Sequence, residues 1–159
     1  GRRQTDINFS VYCEIEFSPG FNESGGIVLL QACNHSLRIE KKKINGKDMI
    51  SLIRTTTSMN SSPRRENFCS QTSEELITSR EWTQRSLVIG IVASQQYYTF
   101  YIGEDMNSLM ELAKNIDVSK INPPEIEGFM GTIIGIYATG NGVSSQNFLQ
   151  LNWFEYNYS

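Results

Sequence analysis

Residues 8–17 alternate strictly between apolar and polar side chains, and this period of two constrains the fold of the chain more than any other feature. One set of positions holds Phe9, Val11, Cys13, Ile15 and Phe17. The other set holds Ser10, Tyr12, Glu14 and Glu16. Successive side chains of a β-strand point to opposite faces of its sheet, so the pattern predicts a strand with one buried face. Cys13 falls among the buried positions, which predicts a small core side chain.

A second pair of strands is specified by the turn between them. Residues 37–43 alternate in the same way, and residues 48–55 return as their partner. Asn45-Gly46 lies between the two runs, and this dipeptide favours a two-residue hairpin turn because both of its residues readily adopt positive φ. Further β-favouring runs bounded by turn residues predict strands at residues 27–30, 87–93, 97–102, 131–138 and 148–156.

Two other segments have a weaker pattern. Residues 56–80 are rich in Ser, Thr, Asn and charged side chains and have little periodicity, which predicts a long surface loop for most of the stretch. Residues 106–116 place Leu109, Leu112 and Ala113 at helical spacing, while the same segment also fits a strand. A short helix and a further strand therefore both remain open there.

The number and spacing of the predicted strands define the fold class. Roughly seven to nine strands joined by short turns, without an internal repeat, are typical of a sandwich. A chain of 159 residues has the size of one domain. The sequence therefore predicts a single all-β domain over residues 1–159, folded as a two-sheet antiparallel β-sandwich. Its predicted inner packing includes Phe9, Val11, Ile15, Ile134, Ile136, Leu149 and Leu151.

Charge balance and hydropathy limit the partners of such a domain. The formal net charge is -3, so the chain lacks the positive field that attracts a nucleic-acid backbone or an anionic membrane. No apolar run approaches the ~18 residues of a membrane-spanning helix. We therefore expect neither nucleic acid nor a membrane as a partner. Periplasmic, secreted and cytoplasmic locations all remain open.

The residue types that carry catalysis are scarce. His35 is the single histidine, and the three cysteines are widely spaced without a CxxC pair. A nucleophile with its base or a zinc site would need more of these side chains, so we expect no catalytic centre, no zinc and no cofactor. Asp105 and Asp117 are the remaining candidates for a calcium site, although their surroundings lack the dense Asp/Asn spacing of a calcium loop.

Aromatic side chains offer a different kind of site. An exposed aromatic ring can stack on a sugar ring, and Trp82 and Tyr98 are the candidates for this role. Trp153 and Tyr101 alternate with apolar neighbours, which predicts that they lie in the core. The sequence therefore leaves open a carbohydrate-binding function.

Three stretches together resemble a known family. They are residues 2–5, which run into the strand at 9–17, residues 128–138, and residues 152–156. Residues 24–29 and 98–101 also fit. These segments are similar to the C-terminal domain appended to family 43 glycoside hydrolases, the β-xylosidases and α-L-arabinofuranosidases that degrade plant xylan. The resemblance extends over almost the whole chain.

This resemblance implies a concanavalin A-like β-sandwich of the jelly-roll type, which packs on a five-bladed propeller. That propeller is the catalytic domain, and it is absent from this chain. In the family, a phenylalanine ahead of the late apolar strand projects toward the substrate pocket of the propeller. Phe129 matches it, within a substrate-pocket loop formed by Gly128, Phe129, Met130 and Gly131, whose two glycines would allow tight bending. From the residues alone, Phe129 could equally be a packing residue at a strand entrance.

The leading functional hypothesis is therefore a non-catalytic accessory domain that completes the active site of a xylan-degrading glycoside hydrolase. The parent protein, and not this domain alone, would be the enzyme. The alternative is an autonomous carbohydrate-binding or lectin-like module that holds a xylan-type oligosaccharide by aromatic stacking. Two departures from the family pattern leave the sugar specificity open. Residues 60–75 form a longer excursion, and His35 and Leu37 stand where an aromatic residue is common.

Overall fold

Eleven β-strands form the regular structure of residues 1–32, 35–57, 72–119, 121 and 132–158, the part of the chain that the computed structural model describes. This part contains no helix, and hence none with the length and hydropathy needed to cross a membrane. The strands are β1 (Arg2–Arg3), β2 (Asn8–Glu16), β3 (Ser24–Ala32), β4 (His35–Ile44), β5 (Lys47–Thr57), β6 (Thr72–Glu81), β7 (Ser86–Ser94), β8 (Tyr97–Gly103), β9 (Met110–Asp117), β10 (Ile133–Thr139) and β11 (Gln150–Tyr158).

The strands form two antiparallel sheets. Six strands lie in the order β1-β10-β3-β4-β5-β6, and five lie in the order β11-β2-β7-β8-β9. Apolar side chains from both sheets meet in one buried cluster, whose removal from water is the main force that holds the sheets together. The prediction of an all-β, two-sheet antiparallel sandwich is therefore confirmed.

The strand predicted from residues 8–17 lies inside the five-stranded sheet. β2 pairs with β7 on one side and with β11 on the other. Its buried side chains alternate with half-exposed ones along its length, and Cys13 is fully buried opposite Ile89. Burial raises the pKa of the Cys13 thiol to about 12, so this cysteine is an unreactive core side chain, as the period of two predicts.

The hairpin predicted at Asn45-Gly46 is also confirmed. Asn45 and Gly46 adopt positive φ values of 51° and 78°, the backbone geometry that a two-residue hairpin turn requires. The turn joins β4 to β5, which stay in register from Ile44 opposite Lys47 to Ser36 opposite Thr55.

The predicted core is largely buried. Phe9, Val11, Ile15 and Ile134 are at most 3% exposed. Ile136 and Leu149 are partly buried and pack against the same cluster. Leu151 is 44% exposed, so the prediction that it contributes to the inner packing is wrong.

Leu151 pairs with the buried Ile15, but it is exposed because β11 is the edge strand of its sheet, and an irregularity follows directly after it. The register of β11 against β2 shifts between Leu151 and Trp153, so that one extra residue reverses the faces of the strand. After this shift Phe154 and Tyr156 pack against the core. Trp153 lies on the opposite face of the sheet, and the prediction that it is a core residue is wrong as well.

The surface loop predicted for residues 56–80 is wrong for the end of that stretch. β6 forms there and pairs with β5 from Thr72 opposite Thr57 to Glu81 opposite Met49. As the edge strand of its sheet, β6 leaves most of its side chains exposed, so the apolar period that identifies a strand is missing. Residues 58–71 lie outside the described residues.

The segment at residues 106–116 follows the strand alternative rather than the helical one. The register of β9 against β8 shifts twice, and Asn115 adopts a positive φ of 54°. Because extra residues interrupt the period of two, Leu112, Ala113 and Ile116 contact the core at a spacing that resembles that of a helix.

A polar network lies on the outer face of the six-stranded sheet around Glu40. The Glu40 side chain is 5% exposed and accepts hydrogen bonds from Arg38 Nε (3.0 Å) and from the Tyr137 hydroxyl (2.8 Å). Lys42 Nζ lies 2.6 Å from its other oxygen. Tyr137 reaches Glu40 across β3 because Gly26, which has no side chain, lies between them in register. Burial alone would raise the pKa of Glu40, but the hydrogen bonds from Lys42, Tyr137 and Arg38 outweigh it and hold the pKa below its usual value.

Candidate functional site

The substrate-pocket loop predicted from Gly128, Phe129, Met130 and Gly131 lies outside the described residues. Its role stays a prediction. The residues on both sides of the 122–131 segment are described, however, because Ile121 precedes it and Thr132 follows it. The candidate site is therefore built from these two flanks and from the side chains that hold them.

Ile121 ties the first flank to the five-stranded sheet. Its side chain is 1% exposed and belongs to the core cluster. Its backbone N–H donates to the carbonyl of Val118 (3.0 Å), and the N–H of Val118 donates to the carbonyl of Gln96 in the turn between β7 and β8 (2.9 Å). The chain thus enters the 122–131 segment from a buried position.

Thr132 ties the second flank to the six-stranded sheet. It is 5% exposed, and its carbonyl accepts a hydrogen bond from the backbone N–H of Gln4 (2.8 Å). Its Oγ1 donates to Gln31 Oε1 (3.1 Å). The 122–131 segment therefore connects the two sheets between buried, hydrogen-bonded ends.

Tyr98 joins the five-stranded sheet to Gln4, next to the second flank, rather than presenting a surface for sugar. Its hydroxyl donates to Gln4 Oε1 (3.1 Å), and its ring meets Phe9 edge to face, with centroids 5.5 Å apart. The residue is 2% exposed, and burial raises the pKa of its hydroxyl to about 12. The hydroxyl is therefore a neutral hydrogen-bond donor at physiological pH.

The predicted stacking role of Trp82 and Tyr98 needs an exposed ring face, and neither residue has one. Trp82 is 7% exposed, and its indole Nε1 donates to the backbone carbonyl of Ser86 (3.0 Å). Both rings belong to the core cluster. Tyr98 is buried because it lies on the inward face of β8 with Phe100 and Ile102. Trp82 is buried because it packs into the core directly after β6.

A shallow open pocket adjoins the flanks of the 122–131 segment. Its volume is about 440 Å³, and its described lining includes Gln4, Tyr98, Val118 and Ser119. None of the described lining residues is an acid or a basic residue, so the pocket provides neutral hydrogen-bonding groups beside apolar surface. It lies beside Gln4, whose backbone N–H donates to the carbonyl of Thr132.

A second surface with aromatic rings lies on the outer face of the five-stranded sheet. Tyr12, Gly90 and Tyr101 stand side by side in register on β2, β7 and β8. The Tyr12 ring lies over the glycine, since a Cβ at Gly90 would be 2.9 Å from Tyr12 Cε1. Trp153 lies on the neighbouring β11, where its Nε1 donates to Glu14 Oε2 (2.8 Å). All three aromatic residues are half-buried.

This outer aromatic face (Tyr12, Tyr101 and Trp153) differs from what sequence reasoning predicts. Tyr101 and Trp153 are not in the core, and Tyr12 is not an expected site residue. The available signal was the position of Tyr12 in the polar phase of β2, opposite a glycine on the next strand. That signal becomes visible only when the register between strands is known.

The two candidates for a calcium site lie in separate turns. Asp105 Oδ1 accepts hydrogen bonds from the backbone N–H groups of Asn107 (2.8 Å) and Ser108 (2.9 Å), which lower the pKa of its carboxyl. Asp117 Oδ1 accepts one from the N–H of Ser119 (2.9 Å). Within the described ranges, no group of three or more His, Cys, Asp or Glu side chains could hold a metal ion.

Comparisons with known proteins agree with this architecture. A family model described as the β-xylosidase C-terminal concanavalin A-like domain matches residues 1–157. The chain is 27% identical over 158 residues to a non-reducing end α-L-arabinofuranosidase of Bacteroides ovatus. It is also 27% identical over 155 residues to a xylosidase/arabinosidase of Butyrivibrio fibrisolvens. These alignments cover 98% and 97% of this chain and 27% of each relative.

A solved structure described as GH43B of a Bacteroides ovatus xyloglucan PUL superposes with a TM-score of 0.80 at 23% identity. The superposition covers 99% of this chain and 28% of that chain, and at this identity it establishes the fold. The chain thus spans 27% of the length of the curated relatives that it matches. Because the family model covers residues 1–157, this chain belongs to the family of β-xylosidase C-terminal concanavalin A-like domains, the accessory C-terminal domains of family 43 glycoside hydrolases.

Proposed function

We propose that this domain packs on the catalytic propeller of a xylan-degrading glycoside hydrolase of the β-xylosidase or arabinofuranosidase type and contributes Phe129 to its substrate pocket. The two curated relatives are named for arabinofuranosidase and xylosidase activities, which supports this class of parent enzyme. The observation that carries the proposal is the buried attachment of both flanks of the 122–131 segment, at Ile121 and Thr132.

Such a contribution would position the substrate and would take no part in bond making or breaking. The domain would supply an apolar wall to the pocket, while the propeller would supply the catalytic groups. Ten residues lie between the buried Ile121 and Thr132, and a chain of that length is long enough to reach roughly 15 Å from both ends, at about 3.3 Å per extended residue. Fixed flanks reduce the conformational entropy that is lost when the segment meets a substrate.

Removing the Phe129 side chain tests the proposal. In the full-length polypeptide, Phe129→Ala is expected to lower kcat/KM. The corresponding loss of transition-state stabilisation should be about 1–3 kcal/mol, the free energy of one lost apolar pocket contact. The measurement is steady-state hydrolysis of an aryl xyloside and an aryl arabinofuranoside. The isolated domain is expected to hydrolyse neither substrate and to melt at nearly the same temperature with and without the substitution.

Phe148→Ala is a matched control for Phe129→Ala. Phe148 is 65% exposed and follows the far end of β10, whereas Thr132 precedes the near end of that strand. The control is expected to leave kcat/KM unchanged. An unchanged kcat/KM in Phe129→Ala, or a loss that Phe148→Ala reproduces, would contradict the proposed role of Phe129.

Glycan binding by the isolated domain is the second candidate function, and the outer aromatic face favours it. Tyr12, Tyr101 and Trp153 present partly exposed rings beside Glu14, and rings next to hydrogen-bonding groups suit a neutral sugar. Titration of the isolated domain with xylo-oligosaccharides should then give saturable binding that Trp153→Ala abolishes and Phe21→Ala leaves intact. Phe21 is 89% exposed in the turn after β2. Absence of binding by the unaltered domain would refute this alternative.

A further inference from the structure

We propose that Tyr12, whose ring lies over Gly90 on the outer aromatic face, stacks on a linear and neutral sugar chain, and that the glutamates around it disfavour chains that carry uronic acids. This inference rests on the second candidate function, glycan binding. It adds the residue that contacts the sugar, the glycine that positions this residue, and the charge class of the ligand.

Two neighbouring rows of side chains cross the outer face of the five-stranded sheet. The first row, in register from β11 to β9, is Glu155, Tyr12, Gly90, Tyr101 and Glu111. The second row, from β11 to β8, is Trp153, Glu14, Val88 and Gly103. These two rows combine aromatic rings with glutamates, and neither of them contains a lysine or an arginine.

Gly90 makes room for the Tyr12 ring to lie along the sheet. A Cβ at Gly90 would be 2.9 Å from Tyr12 Cε1 and 3.0 Å from Tyr12 Cδ1. One edge of the ring thus occupies the space that any larger residue would need at this position. Tyr12 is half-buried, with the sheet on one side of its ring and solvent on the other. A ring in this orientation offers a sugar a broad apolar surface.

Trp153 is held in a fixed orientation on the neighbouring strand. Glu14 Oε2 accepts from its indole Nε1 (2.8 Å), and Glu14 Oε1 accepts from the Ser86 hydroxyl (2.9 Å). Because the indole N–H is already engaged, Trp153 offers a ligand its ring. Val88 lies on the same outer face and is only 1% exposed, so the surrounding side chains fold over the sheet rather than stand away from it.

The spacing of the rings suits a chain rather than a single sugar. Neighbouring strands are about 4.8 Å apart. Tyr12 and Tyr101 are separated by β7, and Trp153 lies on β11 at the other side of β2. A ligand that contacts all three rings therefore spans about 14 Å across the strands, which is longer than one sugar ring.

The glutamates determine the charge class of this ligand. Glu111 and Glu155 are exposed at the two ends of the first row, and Glu14 lies beside the rings. Carboxylate oxygens accept hydrogen bonds from sugar hydroxyls. They also repel the carboxylate of a uronic acid, since like charges brought together at an interface are unfavourable. The face is therefore suited to a neutral chain.

The first experiment is calorimetric titration of the domain with a linear xylo-oligosaccharide. Tyr12→Ala is expected to weaken binding about tenfold, the effect of one lost aromatic contact. Tyr12→Phe keeps the ring and should change the affinity by about twofold or less. A role of the Tyr12 hydroxyl, rather than of its ring, would make the two variants equally weak and would contradict the proposal.

Gly90→Ala tests the positioning of the ring without touching the ligand. The added methyl group displaces the Tyr12 ring, and the affinity should fall about fivefold in the unaltered domain but not once Tyr12 is alanine. Gly135→Ala is the matched control, because a Cβ there meets only Gly1 Cα at 3.5 Å, and it should leave the affinity unchanged. If Gly90→Ala does not fold, the two Tyr12 variants decide the proposal.

A second titration uses the same xylo-oligosaccharide substituted with glucuronic acid. It should bind at least fivefold more weakly than the neutral chain at about 0.01 M salt, and the difference should shrink near 1 M salt, where charges are screened. Glu111→Gln combined with Glu155→Gln should reduce the difference at low salt. Equal or tighter binding of the substituted chain at low salt would overturn the proposed charge class.

The outcomes separate this inference from the function on which it rests. If the unaltered domain binds the xylo-oligosaccharide and Trp153→Ala abolishes binding while Tyr12→Ala does not change it, glycan binding stands and the role of Tyr12 is wrong. If oligolysine binds the face and the xylo-oligosaccharide does not, the face recognises a cationic partner, and glycan binding and this inference fail together.

Discussion

Replacing Ile134 with alanine is expected to lower the free energy of unfolding of the domain by about 2–5 kcal/mol. Ile134 is fully buried on β10, between Arg2 of β1 and Leu29 of β3 in the sheet. The substitution removes three methyl or methylene groups from the core and leaves a cavity that the flanking strands cannot fill without distortion. Urea unfolding followed by tryptophan fluorescence measures the loss as a lower midpoint at constant slope.

Ile133 provides a matched control on the same strand. It is 40% exposed on the opposite face of β10, so Ile133→Ala should cost about 1 kcal/mol or less. The two substitutions delete the same atoms one residue apart. Equal losses for both would mean that the face of β10 assigned to the core is wrong.

The second large effect concerns the charge of Glu40. Glu40→Gln is expected to lower the free energy of unfolding by about 3 kcal/mol at pH 7, the lower end of the range for breaking a buried ion pair. The lower end applies because Arg38 also contacts Glu74, and because the Lys42 side chain is 31% exposed and can be hydrated. Without the carboxylate, the cationic side chains of Arg38 and Lys42 both contact a neutral amide and are no longer compensated by its charge.

This loss should depend on pH in one direction. The pKa of Glu40 in the folded state lies below its ordinary value of 4.5, so the folded state binds its proton less readily than the unfolded chain does. The stabilisation is therefore complete above pH 4.5 and is lost as the pH falls through the lowered pKa. The difference between the unaltered domain and Glu40→Gln should be largest near neutral pH and should shrink below pH 4.5.

Urea unfolding of both proteins between pH 7 and pH 3 measures this difference. Glu104→Gln removes an exposed acid in the turn after β8, and it should change the stability by about 0.5 kcal/mol or less. A difference between the unaltered domain and Glu40→Gln that stays constant down to pH 3 would show that the Glu40 charge does not stabilise the fold.

The outline of the fold follows from local patterns in the sequence. β2 can be predicted from its alternation, because the side-chain period of a strand is set by backbone geometry alone. The turn at Asn45-Gly46 can be predicted because its positive φ values are a property of those two residues. The family likewise shows in short stretches near both ends and the late apolar strand, which explains why Gly128, Phe129, Met130 and Gly131 could be proposed from sequence.

Other features depended on pairing between strands that are distant in sequence. The reversal of faces in β11, which turns Trp153 outward, comes from a shift of register against β2. β6 is a strand because β5 offers it a hydrogen-bonding edge, while its own side chains carry almost no apolar signal. Local propensity cannot reveal such effects, because the partner strand supplies the energy.

The sequence by itself determined the fold class, the phase of β2, the hairpin at Asn45-Gly46 and the family, since each depends on residues that are close in the chain. Only the tertiary structure decided which aromatic rings are accessible from solvent. Tyr98 and Trp82 are buried, and Tyr12, Tyr101 and Trp153 lie on the outer aromatic face. It also decided that Gln4 joins Tyr98 to Thr132. The hydrogen bonds that join Tyr98 to Gln4 and Thr132 to Gln31 connect residues about 100 positions apart in sequence, so the pairing and packing of the strands had to be known first.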